Sequence, residues 1–124
     1  MGVYFFEMIP QPKPRMTKSD KWKKRPTAER YFAYANELRL RANTQGLKTI
    51  PEQIKRLCFI FPVTESWTKK KKKEMLGDYH KQRPDLSNLL KAIEDILCIE
   101  DSHICHIHDL SKVWGKKGMI IIEV

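Results

Sequence analysis

Six apolar residues recur at helical spacing between positions 86 and 97. On a helical wheel of about 100° per residue they cover roughly one third of the circumference, and they are Leu86, Leu89, Leu90, Ile93, Ile96 and Leu97. Asn88, Lys91 and Asp95 form a narrow polar stripe on the opposite side. The pattern predicts a helix that docks on a core by its apolar face. Its polar stripe faces either water or a cleft.

The rest of the chain predicts one further helix and four strands. Apolar and β-branched runs predict strands over about 3–9, 55–63, 104–110 and 118–124. Thr27 is a good N-cap for a helix that ends near Asn43, before Gly46. A turn over 114–117 predicts that the last two strands form a hairpin. The order β-α-β-loop-α-β-β predicts an α+β (mixed α/β) fold with a single mixed sheet covered by helices.

The charge balance indicates a polyanionic partner. The 124 residues include 24 Lys plus Arg against 15 Asp plus Glu, a formal net charge of +9, and this length predicts one domain over 1–124. The excess is concentrated in two basic loops, at about 10–26 and 64–83. Solvated, merely solubilising loops are the alternative to loops that bind DNA phosphates. The candidate DNA-binding residues are Lys13, Arg15, Lys23, Lys24, Arg25, Lys69, Lys70, Lys71, Lys72, Lys73 and Arg83.

Cysteine content and hydropathy indicate an intracellular protein. The number of cysteines is odd, and all three lie in apolar segments, which favours free thiols. They are Cys58, Cys98 and Cys105. No apolar run approaches the length of a membrane span, so no membrane association is expected. The histidines beside Cys98 and Cys105 lack the paired spacing of a zinc site. We expect a cytoplasmic location.

Carboxylates flank the central helix on both sides. Pro84 disfavours a helical Arg83, so the helix is expected to begin at Leu86 with Asp85 as its N-cap. Capping alone would explain an aspartate at this position. A second acidic pair, Glu100 and Asp101, precedes the next strand. Two carboxylate clusters with a lysine are a set that binds a hard divalent cation against a phosphate.

The segment 84–104 carries a recognisable motif. It contains Pro84-Asp85-x-x-Asn88-Leu89-x-Lys91-Ala92-x-x-Asp95-x-Leu97 and then Glu100-Asp101-Ser102-His103-Ile104. In these positions the chain resembles the RusA family of Holliday junction resolvases, whose signature is close to P-D-x-D-N-L-x-K-A followed by D-D-x-Q-[IV]. The opening Phe6–Arg15 stretch, with its Pro-rich basic loop, is also similar to the family. The likeness covers nearly the whole chain.

The resemblance implies a RusA-like fold and an endodeoxyribonuclease. It implies a bacterial or phage-encoded homodimer that cuts four-way junction DNA with Mg²⁺ in recombination and repair. Asp85, Lys91 and Asp101 would be the catalytic residues, with Asp85 and Asp101 as metal ligands.

The chain departs from the family pattern at Ser87, where the family has an aspartate. The metal set is therefore expected to comprise Asp85, Asp101, Ser87 and Glu100, with Glu94 or Asp95 as other replacements for the missing carboxylate. A junction-binding protein of the same fold with impaired catalysis is the alternative function.

Overall fold

A computed structural model of the protein describes residues 2–14, 26–98 and 104–124. These ranges contain, in chain order, β1 (Val3–Phe6), α1 (Pro26–Thr44), β2 (Gln53–Pro62), α2 (Lys69–Met75), α3 (Leu86–Leu97), β3 (His106–Gly115) and β4 (Met119–Glu123). The strands form one mixed sheet. The predicted mixed α+β fold class is confirmed.

The sheet has the strand order β1-β4-β2-β3. β2 and β3 are parallel, from Gln53 opposite His106 to Pro62 opposite Gly115. β4 runs antiparallel to both β1 and β2. A parallel neighbour requires a crossover connection, and α3 lies in the connection between β2 and β3. α3 therefore follows β2 in the chain, and its start lies beside β3.

The core lies between the sheet and the helices α1 and α3. Leu57 and Phe59 of β2 are fully buried, together with Leu38 of α1 and with Leu89 and Ile93 of α3. Burial of a side chain of this size contributes about 1.5–3 kcal/mol to the free energy of unfolding. The predicted start of α3 at Leu86 is confirmed, and so is its role as a docked helix.

The predicted C-terminal hairpin is wrong. β3 and β4 are joined by residues 116–118 but do not pair with each other, because β2 lies between them. The connection crosses the end of β2 at close range. A Cβ atom at Gly115 would overlap the Cγ2 methyl of Ile60, and one at Gly118 would lie 2.7 Å from Ile9 Cα. Two glycines therefore make the crossing sterically possible.

Other predictions also differ from the structure. β1 ends at Phe6 and not near residue 9, and α1 already includes Pro26, so Thr27 lies inside the helix and is not its N-cap.

The segment 64–83, expected to be a loop, contains α2, whose start is capped by Thr68: its Oγ1 accepts a hydrogen bond from the Lys71 N–H at 3.2 Å. Lysine has a good helix propensity, but the prediction considered only the charge of this run and assigned it to a loop. β3 begins and ends later than expected, so that Trp114 lies in the strand and not in a turn.

None of the helices within the described ranges is long and apolar enough to cross a membrane.

We expect Gly115→Ala to lower the free energy of unfolding by about 1–3 kcal/mol, because the added methyl group overlaps Ile60. Urea denaturation measures this loss. Combining it with Ile60→Leu, which moves the branching methyl away from Cβ, should recover part of the loss. Equal losses in the single and combined variants would contradict the proposed contact.

Candidate functional site

The segment 77–80 extends the sheet along the outer edge of β3. The Gly77 N–H donates to the Trp114 carbonyl at 2.9 Å, and the Trp114 N–H donates to the Asp78 carbonyl at 2.9 Å. The His80 N–H donates to the Lys112 carbonyl at 2.8 Å. Tyr79 forms an antiparallel bridge with Val113. These main-chain hydrogen bonds fix the direction in which the chain approaches α3.

An aromatic cluster holds the same segment from the side. The His80 ring is buried and lies 4.6 Å from the Phe61 ring and 4.0 Å from the Trp114 ring, centroid to centroid. The Trp67 ring meets Trp114 edge-on at 4.9 Å. Burial lowers the pKa of His80, with the nearby Lys112 acting in the same direction. These surroundings favour the neutral ring, which packs against Phe61 and Trp114.

Lys112 reaches from β3 to the end of this segment. Its Nζ donates to the Gln82 carbonyl at 2.5 Å and to the Pro84 carbonyl at 2.6 Å. Burial lowers the pKa of Lys112, while the negative charge of Asp85 opposes the shift. The ammonium group thus binds the main chain on both sides of residue 83. The second of the two carbonyls belongs to Pro84, which directly precedes Asp85.

Asp85 occupies the N-cap position of α3, but its side chain does not cap the helix. The Asp85 carbonyl accepts hydrogen bonds from the Asn88 and Leu89 N–H groups, each at 3.1 Å. Its carboxylate makes no cap hydrogen bond and is exposed. Helix capping therefore does not explain why the residue at this position is an aspartate.

Asp85 lines a groove of about 710 Å³ between the Pro-rich N-terminal segment and the start of α3. Its lining residues are Ile9, Pro10, Gln11, Pro12, Lys13, Phe61, Arg83, Pro84, Asp85 and Asn88. A second groove of about 390 Å³ is lined by Lys13, Pro14, Asn88 and Lys91. Because Lys13 and Asn88 line both, the two grooves adjoin. Asp85 and Lys91 therefore line adjoining grooves, which we call the cleft.

Asp95 holds one wall of this cleft in place. Its Oδ1 lies 3.2 Å from Lys13 Nζ, and its Oδ2 accepts a hydrogen bond from the Tyr31 hydroxyl at 2.7 Å. The Lys13 N–H also donates to the Asn88 carbonyl at 3.2 Å. The Tyr31 hydrogen bond, with help from Lys13, holds the pKa of Asp95 below its usual range. Burial and the Asp95 carboxylate raise the pKa of Tyr31.

Ser87 and Lys91 are both exposed on α3. Lys91 lines the second groove, whereas Ser87 lines neither of the two. Asp95 pairs with Lys13 and not with Lys91. The predicted polar stripe is thus divided, with Asn88 and Lys91 in the cleft and Asp95 in its wall.

Several predicted site residues lie outside the described residues. They are Glu100 and Asp101 of the metal set, and Arg15, Lys23, Lys24 and Arg25 of the DNA-binding set. Within 2–14, 26–98 and 104–124, no group of three or more His, Cys, Asp or Glu side chains could hold a metal ion. Among the described residues that line the cleft, Asp85 is the one carboxylate. That Glu100 and Asp101 complete a metal site with Asp85 remains a prediction.

The five consecutive lysines form most of α2. Lys69, Lys70 and Lys73 are exposed, while Lys71 Nζ lies 4.5 Å from the centre of the Trp67 ring. This cation–π contact ties α2 to the aromatic cluster beside Trp114. Arg83 and Lys13 line the Asp85 groove itself.

Lys112 and Tyr31 are site residues that the sequence analysis did not identify. Nothing in the sequence marked Lys112 as a site residue, because it lies beyond the predicted strand. Its contacts depend on how residues 82–84 pass β3. Tyr31 was identified only as an apolar residue of α1. Its hydroxyl contacts Asp95, 64 positions away in the chain.

The chain matches a family model described as Endodeoxyribonuclease RusA over residues 6–124. No curated protein and no solved structure matches the chain.

We expect Tyr31→Phe to lower the free energy of unfolding by about 0.5–1.5 kcal/mol at neutral pH, because Asp95 loses its hydrogen-bond donor. The folded pKa of Asp95 is depressed. The linked stability is therefore present above the ordinary aspartate value of about 4 and is lost as the pH falls through the lowered value.

Urea denaturation at a series of pH values measures the difference from wild type, which should shrink in acid. Tyr79→Phe is the matched control, since Tyr79 is 64% exposed. A Tyr31→Phe effect that is equal to the control at every pH would show that the Tyr31–Asp95 bond contributes nothing.

Proposed function

The chain belongs to the RusA endodeoxyribonuclease family, and on that premise we propose that it is a Mg²⁺-dependent endonuclease that resolves four-way DNA junctions in recombination and repair. Family membership implies a DNA substrate and endodeoxyribonuclease activity. The observation that carries the proposal is the carboxylate of Asp85, which its own helix does not use and which lines a cleft shared with Lys91.

We assign hydrolysis of a phosphodiester bond to this cleft. A water oxygen attacks the phosphorus, the bond to the leaving sugar oxygen breaks, and that oxygen takes up a proton. Asp85 would hold Mg²⁺ with Asp101 and Glu100, and Ser87 would add a neutral oxygen. When bound, Mg²⁺ supplies Lewis-acid polarisation of the phosphate and lowers the pKa of water.

The cations around the cleft have separate tasks in this proposal. Lys91 stabilises the charge that develops on the phosphate in the transition state. Lys13 and Arg83 bind the phosphates on either side of the scissile bond, and the contacts of Lys13 with Asp95 and Asn88 hold it in position. The exposed lysines of α2, together with Arg15, Lys23, Lys24 and Arg25, bind more distant phosphates.

We propose a homodimer, because resolving a junction requires two cuts. One chain contributes one Asp85 and one Lys91 to such a cleft. Two copies related by a twofold axis would present two such clefts to opposite arms of a four-way junction.

Ser87 supports the second candidate function, a junction-binding protein with impaired catalysis. A serine brings no charge to a metal site, and here it lies on α3 without lining either groove. The cationic surface that binds DNA does not depend on this position.

We expect Lys91→Ala to retain junction binding and to reduce the cleavage rate by about 10²–10³-fold, since one group that stabilises the transition state is removed. Lys91 is exposed, so the melting temperature should stay unchanged. Lys48→Ala, at an exposed lysine between α1 and β2, is the control. If Lys91→Ala reduced junction binding and cleavage to the same extent, Lys91 would contribute to substrate affinity and not to catalysis.

If the missing carboxylate limits catalysis, Ser87→Asp should increase Mg²⁺-dependent cleavage. Junction affinity without metal should stay equal or fall slightly, because negative charge is added near phosphate. Ser87→Asn is the uncharged control of similar size, and Asp85→Asn should abolish the gain. Efficient cleavage by the natural chain with no effect of Ser87→Asp would mean that another residue completes the metal set.

The lysines of α2 should contribute salt-dependent affinity without sequence preference. Binding that neutralises about 6–10 phosphates should weaken by roughly 10³–10⁵-fold between 50 and 200 mM salt. Replacing Lys69, Lys70 and Lys73 by Gln should reduce the slope of log K against log salt by up to about 2.7. Equal slopes for variant and wild type would exclude α2 from the DNA-binding surface.

A further inference from the structure

Lys112 is the last point at which the segment before Asp85 is attached to the sheet. Among the described residues, main-chain hydrogen bonds from β3 to this segment end at His80. Beyond it, the two bonds from Lys112 Nζ to the Gln82 and Pro84 carbonyls are the links to β3. They extend the attachment by four residues, up to the residue that precedes Asp85.

We propose that Lys112 is a positioning residue for Asp85: by binding the carbonyls on both sides of residue 83, its ammonium group holds the Asp85 carboxylate at the groove where the metal and the scissile phosphate bind. The inference rests on the proposed function for the role of Asp85. It assigns to Lys112 no contact with the reacting atoms.

The chemistry of an ammonium group suits this task. It has three N–H donors and no acceptor, and two of the donors are used by carbonyls that α3 and β3 leave without partners. A lysine side chain normally keeps its charge in water, whereas Lys112 is only partly exposed. The two carbonyl contacts thus offset the desolvation of the ammonium group.

The charge of the ammonium group agrees with this placement. The carboxylate of Asp85 favours the charged form of Lys112 and so opposes the lowering of its pKa by burial. The recorded contacts of Lys112 Nζ are with the main chain of residues 82 and 84, so its effect on Asp85 is transmitted through that main chain.

Lys112→Met tests the proposal, because it keeps the aliphatic side chain and removes the donors and the charge. Lys116→Met, at an exposed lysine just after β3, is the charge-matched control. Amide hydrogen exchange over 82–88 should become faster in Lys112→Met alone. The Mg²⁺ concentration for half-maximal junction cleavage should rise by about 10–100-fold, while the rate at saturating Mg²⁺ and junction affinity in EDTA change as little as in the control.

A double-mutant cycle separates positioning from a general structural role. In an Asp85→Asn background, which is expected not to cleave, Mg²⁺ affinity is measured by calorimetry, and Lys112→Met should cause no further loss of it, because both changes act through the same carboxylate. Lys112→Arg, which keeps the charge and the donors, should restore part of the wild-type Mg²⁺ requirement. Should Lys112→Met fail to fold, Lys112→Gln replaces it in every comparison.

Two results would overturn the proposal: hydrogen exchange over 82–88 that matches the control, or additive effects of Lys112→Met and Asp85→Asn on metal affinity. Absence of cleavage by the wild-type chain would instead overturn the proposed function. The exchange measurement needs no activity, and it would then still decide whether Lys112 holds the segment.

Discussion

The attachment of residues 77–84 to the outer edge of β3 is the constraint on which the candidate site depends. Main-chain hydrogen bonds secure its first half, and the two bonds from Lys112 secure its second half. Because the segment is held at both ends, α3 begins at a defined place and Asp85 reaches the groove without capping its helix. The opposite wall depends in the same way on Asp95, which binds Lys13 of the Pro-rich segment and Tyr31 of α1.

Local signals in the sequence predicted most of the elements but not their arrangement. α3 and its first residue were predictable because apolar spacing and the Pro84-Asp85 pair act within a few residues. Strand order depends on contacts between distant segments. A connection of three residues normally joins neighbouring strands, yet here it crosses the end of β2. Gly115 allows close approach to Ile60 of β2, and Gly118 allows close approach to Ile9, which follows β1. α2 was missed because a run of lysines carries no apolar periodicity, although Thr68 and Gly77 mark its ends.

The site was predictable where it follows a motif or a helix face. Helical spacing placed Asn88 and Lys91 on one side of α3, and both line the cleft. The same spacing grouped Asp95 with them, but its partner across the cleft wall is a lysine 82 positions away in the chain. Whether Asp85 caps its helix is a matter of side-chain rotamer, on which sequence is silent. Lys112 was unpredictable because its role arises only when residues 82–84 pass β3.

The most direct test of the central claim, that Asp85 serves phosphodiester cleavage in branched DNA, is a mapping of cuts in an end-labelled synthetic four-way junction. Wild type and Asp85→Asn are incubated with Mg²⁺, the junction and a linear duplex of the same sequence. The account predicts paired nicks at symmetric positions in opposing strands of the junction, no cuts in the duplex, and none by Asp85→Asn. Equal cutting by both proteins, or junction binding by wild type without any cut, would contradict it.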